Sequence, residues 1–298
     1  MQHDLIVIGG SYAGMAAALQ LLRARKSVLV IDAGERRNRF ASHSHGFLGQ
    51  DGADPAAIAA QARRQLDAYP TLSWHEGRAE RVSGQADDFT VTTSGGQAHR
   101  GRRILLAIGV ADQLPSISGL AERWGNSIFH CPYCHGYELD QGRIGVIATG
   151  PMSLHQAEFL TEWGKVTLLL NHAVSLGPDE RAGLERRGVA IEDVAIDRIE
   201  EHADVRLADG RLLRFAGLFT AARSVPLDLA GRGGRMRARG HAAGPAGAHR
   251  RREQDLGARD IRMRRCRPRS PFGIAGGGER RHGRHPGPPL LVLAGAGR

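Results

Sequence analysis

The chain has 298 residues, 41 Lys+Arg against 31 Asp+Glu, a formal net charge of +10 and three cysteines. That length suits one large α/β domain or, better, two of ordinary size; the cysteines are too few for a disulfide scaffold, and no apolar run reaches membrane-spanning length. The positive charge is local, with 24 basic and 26 acidic side chains in residues 1–226 but 17 Arg, no Lys and 5 acids in 227–298, and this basic stretch lacks the interleaved aromatics of a nucleic-acid binder.

Met1 leads straight into DLIVIGG (Asp4 to Gly10), a short apolar strand with no basic leader or small-residue cleavage site, so a cytoplasmic protein is expected. A helix of small residues is predicted from there to about Arg25, then a strand SVLVID (Ser27 to Asp32). This βαβ opening is how a doubly wound sheet begins. The polar loop RRNRFASHSHGFLGQDG follows, then a helix near Pro55 to Ala68 and strand-like stretches at Thr71 to Trp74, Phe89 to Thr93 and Ile104 to Ala107. RIGVIATG (Arg143 to Gly150) starts a second nucleotide-fold unit, with a helix to about Trp163 and a strand KVTLLLN (Lys165 to Asn171). The expected architecture is α/β, two Rossmann-like units and an irregular C-terminal tail, divided as 1–112, 113–222 and 223–298.

Gly9, Gly10, Ser11, Tyr12, Ala13 and Gly14 lie between a strand and a helix. Gly9 permits the tight turn, a small residue after Gly10 lets backbone N–H groups approach a pyrophosphate, and Gly14 lets helix pack on strand. Asp32, ending the second strand, is placed to accept a hydrogen bond from a ribose hydroxyl. The pattern predicts a dinucleotide site without choosing between FAD and NAD.

Cys131-Pro132-Tyr133-Cys134 admits four readings. Zinc needs further ligands, and the third cysteine, Cys266, lies in the anomalous tail. The CxxCH haem-attachment pattern lacks an export signal, and the remaining two readings are an inert buried pair and a redox dithiol. The dithiol is favoured: two cysteines one helical turn apart can close a small disulfide, and a helix N-terminus with a neighbouring imidazole, His135, favours a thiolate.

IVIGGSYAGMAAALQLLRA, VLVIDAGERRNRF, LLAIGVADQLPSISGL and HCPYCHGYE, in this order and spacing, resemble the bacterial low-molecular-weight thioredoxin reductases over about residues 1–225. The resemblance implies an FAD domain interrupted by an NADPH-type domain that carries the cysteines. It assigns Gly9, Ser11, Ala13 and Gly14 to the FAD pyrophosphate and Asp32 to its ribose, counts Asn38, His45 and Gly109 among the cofactor-binding residues, and runs the loop of His43 and His45 along the flavin pocket. Cys134 would face the flavin, Cys131 would attack the substrate disulfide, and His135 would take the proton-donor place of the family's acidic residue. His43 and His45 are also read as solvated loop histidines. The implied partner is a thioredoxin-like protein or a small-molecule disulfide or dithiol, with no metal, no nucleic acid and no membrane; a homodimer is left open.

The second fingerprint departs from the family. It reads Ala148-Thr149-Gly150-Pro151-Met152-Ser153, in which only Gly150 is retained as a cofactor contact, and Asn171-His172-Ala173 stands where basic residues usually take a 2′-phosphate. NADPH, NADH or an oxygen-using dithiol oxidase direction are all open. The tail has a further property: codons chosen for Ile261 to Arg269, read one base over, spell FACGDAAR, which resembles the family's C-terminal FAD motif, and the flanks behave alike in the same frame. A frameshift near Arg223 to Leu229 is therefore expected. Such a chain would bind FAD poorly and leave a buried sheet with an open edge.

Overall fold

In a computed structural model the described residues are 1–227, 263–265 and 291–293; the sequence-based reading of the tail as disordered otherwise lies outside them. The described residues cluster into two compact units, one of residues 1–35, 62–109, 226–227, 263–265 and 291–293, the other of 36–61 and 110–225.

The first unit begins with β1 (Gln2–Ile8), α1 (Tyr12–Arg23) and β2 (Val28–Asp32). After α2 (Pro55–Asp67), which starts in the second unit's segment, come β3 (Leu72–Glu76), β4 (Ala79–Gln85), β5 (Asp88–Thr93) and β6 (Ala98–Leu106). β1 pairs in parallel with β2 and β6, β2 with β3, and the β4–β5 hairpin joins the sheet antiparallel through β6. β1 is apolar on both faces because both are covered. Ile6 and Ile8 pack with Leu29, Ile31, Ile104, Phe89 and Val91, while α1 lies on the face bearing Val7. In α1, Gly14, Ala18 and Leu22 recur every fourth residue and are buried, so one stripe meets the sheet. Burying Leu22 alone contributes about 2 kcal/mol relative to exposure.

The second unit holds β7 (Val110–Gln113), β8 (Ile128–Phe129), the single-turn α3 (Pro132–His135), β9 (Arg143–Ile147), α4 (Met152–Leu160), β10 (Lys165–Leu169), α5 (Pro178–Arg186) and β11 (Ala190–Glu192). A meander β12 (Ile196–Glu200), β13 (Asp204–Leu207) and β14 (Leu212–Leu213) follows, then β15 (Gly217–Thr220) and β16 (Arg223–Pro226). The parallel sheet runs β11-β10-β9-β15-β8, and β16 pairs with β7. Leu160 and Ala157 of α4 cover one face, with Val146 and Leu168. Val205, Leu207 and Phe215 cover the other, with Ile147 and Leu218. Each unit is thus a strand-helix-strand start whose sheet carries a helix on one face and an antiparallel meander on the other.

The short strands β17 (Met263–Arg265) and β18 (Leu291–Leu293) extend the first unit's sheet, with Leu291, Val292 and Leu293 antiparallel to Leu106, Leu105 and Ile104. The segment Ile104 to Leu106 of β6 is thereby paired. Three consecutive apolar residues in the tail suffice to supply backbone partners there, because a ladder needs register and not a particular side-chain motif.

Candidate functional site

In the first unit the turn after β1 brings its predicted residues together. Gly9 has φ +102°, a conformation that penalises any Cβ, and its N–H donates to the Ile31 carbonyl at 2.8 Å. The Gly10 N–H donates to Oδ1 of Asp32 at 3.0 Å, so the acid at the end of β2 is tied to the turn. A Cβ on Gly10 would lie 2.6 Å from the Trp74 ring, and one on Gly14 would collide with the Gly9 carbonyl oxygen. Ser11 is the N-cap of α1 in extended conformation, and its side chain makes no capping hydrogen bond. Tyr12 and Ala13 open the helix behind it. A close backbone approach, an uncapped helix start and an oriented acid fit a dinucleotide, the requirement that FAD would impose.

The second unit carries the sulfur chemistry. Cys131 and Cys134 form a disulfide with Cα atoms 5.3 Å apart, Cys131 being the N-cap of α3 and Pro132 its first residue. The expected helix is one turn only, too short for a large dipole at the sulfurs. Tyr133, between the cysteines, is exposed; its ring meets Trp163 edge-on at 5.2 Å and Phe159 at 5.5 Å. Trp163 also lies against Gly136, where a Cβ would come within 2.7 Å of the indole.

His135 stacks on Phe129 with ring centroids 4.2 Å apart. Burial holds its pKa below the ordinary histidine value; Glu138 opposes the shift and His45 adds to it. Burial thus disfavours the charged form of His135, the residue that stands in the family's proton-donor place. The loop 36–61 brings His45 Nδ1 to 3.4 Å from Glu138 Oε1 and 3.7 Å from Asp51 Oδ1. Glu138 escaped the sequence reading, although its spacing of three from His135 on consecutive helical turns is a usable signal. His43 is 6.1 Å from His45, centroid to centroid, and pairs with Ser42. Asn38 sits in a turn whose carbonyl accepts from Ala41. Gly109 is in the first unit's segment with φ +74°, its carbonyl accepting from Leu227.

The second nucleotide turn is closed on itself. The Thr149 N–H donates to Ser153 Oγ at 2.9 Å, the Thr149 hydroxyl donates to the Ala221 carbonyl, and Pro151 caps α4 without an N–H. Gly150 has φ +158° with open space beside it. At the end of β10 Asn171 spends its side-chain oxygen on the Ile196 N–H, and both Asn171 and His172 are left-handed. At this turn the Thr149 amide and the Asn171 side-chain oxygen, two groups that could meet a pyridine dinucleotide, have internal partners.

Two strand-helix-strand units, one with a dinucleotide turn and the other with a disulfide at a helix start, define a redox protein of the nucleotide-disulfide class. Residues 3–233 match the family of pyridine nucleotide-disulphide oxidoreductases, and the chain belongs to it. It is 36% identical over 243 residues to the thioredoxin reductase tcpT of Claviceps purpurea, covering 70% of this chain and 75% of that one. To the thioredoxin reductase sirT of Leptosphaeria maculans it is 33% identical over 228 residues, 70% of each chain. An oxidoreductase structure from Agrobacterium tumefaciens is 56% identical with TM-score 0.75, covering 76% and 78%. The chain is a thioredoxin reductase-like oxidoreductase.

Proposed function

We propose that the protein is an FAD-dependent disulfide oxidoreductase that moves two electrons between flavin and the Cys131–Cys134 pair, and from there to or from a protein or small-molecule disulfide. The disulfide at the start of α3, followed directly in the chain by the half-buried His135, carries this reading. Bound flavin would supply the two-electron store; Gly9, Gly10, Gly14 and Asp32 would hold its dinucleotide portion. Cys131 would exchange with the substrate sulfur and Cys134 with the flavin. The hydrogen bond from the Thr149 N–H to Ser153 Oγ favours a dithiol over a nicotinamide as electron donor.

Anaerobic titration of flavin-loaded protein with dithiothreitol, NADPH and NADH tests both levels. Bleaching of flavin absorbance by dithiol, lost in Cys131→Ser, is expected. Flavin that bleaches equally in the variant would refute the role of the pair; bleaching by NADPH would refute the dithiol direction alone.

A further inference from the structure

Tyr133 stands between the two redox cysteines and is 68% exposed, yet its ring is not free. Trp163 meets it edge-on with centroids 5.2 Å apart, Phe159 meets it at 5.5 Å, and those two rings lie 5.2 Å from each other. His155, one helical turn before Phe159, stacks on it at 6.1 Å. Positions 155, 159 and 163 repeat every fourth residue, so α4 and the turn after it present one aromatic row that ends at Tyr133. The same stretch holds the backbone of the redox turn. Buried Gln156 donates from Nε2 to the His130 carbonyl at 2.9 Å, directly before Cys131, and the Trp163 indole lies 2.7 Å from where a Cβ on Gly136 would fall, two residues after Cys134. A large ring is thus left in water beside a partly exposed disulfide and is braced there by its neighbours. An aromatic side chain fixed in advance loses little conformational freedom when a ligand covers it, which is what a contact anchor requires.

Charge narrows what can cover it. Neither Cys131 to Gly142 nor Met152 to Gly164 contains a Lys or Arg, whereas Glu138, Asp140 and Glu162 in these segments are exposed. An anionic group beside a substrate sulfur would meet repulsion and no basic partner from them. We propose that Tyr133, braced by Phe159 and Trp163, determines specificity in the exchange reaction and selects a disulfide or dithiol bearing an uncharged aromatic group next to its sulfur; this rests on the redox reading given above and names its substrate class. In the reducing direction the Cys131 thiolate attacks one substrate sulfur, a Cys131–substrate bond forms, and the substrate S–S bond breaks with its electron pair on the second sulfur. The Cys134 thiolate then attacks Cys131 Sγ, the protein disulfide closes, and the first substrate sulfur leaves with the electron pair. The two protons lost by the cysteines reappear, through water, on the two released thiols. Both steps bring the substituent of the substrate sulfur to the residue between the cysteines.

The test uses the full-length chain, reduced with dithiothreitol, freed of excess reagent and kept anaerobic. It is mixed with three matched probes, the symmetric disulfides of acetyl-Cys-Phe-amide, acetyl-Cys-Ala-amide and acetyl-Cys-Glu-amide, and the loss of protein thiols is followed over time. Contact with a braced ring should favour the Phe probe over the Ala probe by about tenfold at subsaturating concentration, and the Glu probe should be slowest. In Tyr133→Ala the Phe-to-Ala ratio should fall to about one, whereas Tyr133→Phe, which keeps the ring, should hold it near the wild-type value. Both changes are at an exposed side chain and leave the buried core intact, and a ratio taken within one variant cancels any general change in cysteine reactivity. A wild-type ratio below about twofold, a Tyr133→Ala ratio that stays near tenfold, or a Glu probe faster than the Ala probe overturns the proposal. In each of those outcomes exchange still occurs and the redox reading stands; a reduced chain that opens none of the three probes overturns both.

Discussion

Asp112→Asn is the substitution whose cost can be worked out most directly from the geometry. Asp112, on β7, is only 7% exposed in its side chain and accepts from Arg37 Nη2 at 2.7 Å, from Arg37 Nε at 2.8 Å and from Ser224 Oγ of β16 at 2.7 Å. Burial pushes its pKa up, but the hydrogen bonds from Arg37 and Ser224 prevail and the carboxyl stays below the usual aspartate value. Asparagine keeps one acceptor oxygen and turns an NH2 toward Arg37, so one charge-assisted bond is lost and two donors face each other. Such a bond contributes about 1.5–3 kcal/mol. Arg37 is 42% exposed and recovers part of this from water, so a loss of about 2 kcal/mol is expected. With a urea slope of roughly 2 kcal/mol per molar, the unfolding midpoint should fall by about 1 M at neutral pH. A carboxyl with a depressed folded pKa stabilises above its unfolded pKa and loses that contribution as pH falls through the folded value. The gap between wild type and variant should therefore shrink below the ordinary aspartate range. A shift under about 0.2 M, or a gap independent of pH, would show that the cluster is a solvated surface pair.

Gly14→Ala places a methyl group on the Gly9 carbonyl, so about 1–3 kcal/mol of stability and most flavin affinity should be lost; retained flavin absorbance after gel filtration would count against the dinucleotide turn. His99 has its pKa lowered by burial and then by His75, 4.9 Å away, so folding favours its neutral form and stability should fall as pH drops below about 6.5; His99→Gln should flatten that slope in thermal melts, and an unchanged slope would refute it. Sequencing the coding DNA across residues 223–269 should reveal codons that spell the FAD motif one base over; codons that do not would end the frameshift proposal. The family match ends at residue 233, close to where the charge balance changes.

The element pattern shows where sequence reasoning reaches and where it stops. β1, α1, β2, β9, α4 and β10 fall within a few residues of their predicted positions, because central parallel strands are apolar on both faces and their helices repeat every fourth residue. β4 was invisible: AERVSGQ is mostly exposed, and its strand character comes from pairing with β5. The meander β12–β14 also rests on pairing, and its buried residues Val205 and Leu207 acquire meaning only against Leu218 and Ile147.

By itself the sequence determined the two nucleotide-fold starts, the glycine turn with its acid, and the CxxC pair, since each depends on residues close together along the chain. Only the tertiary structure decided three further points. Ser153 folds back to occupy the Thr149 amide, a distant loop delivers His45 to Glu138, and His135 is stacked on Phe129 where burial lowers its pKa. The reason is physical: a residue's type fixes what its atoms can donate or accept, but which partner fills that capacity, and how much water reaches it, is set by chain segments far away in sequence.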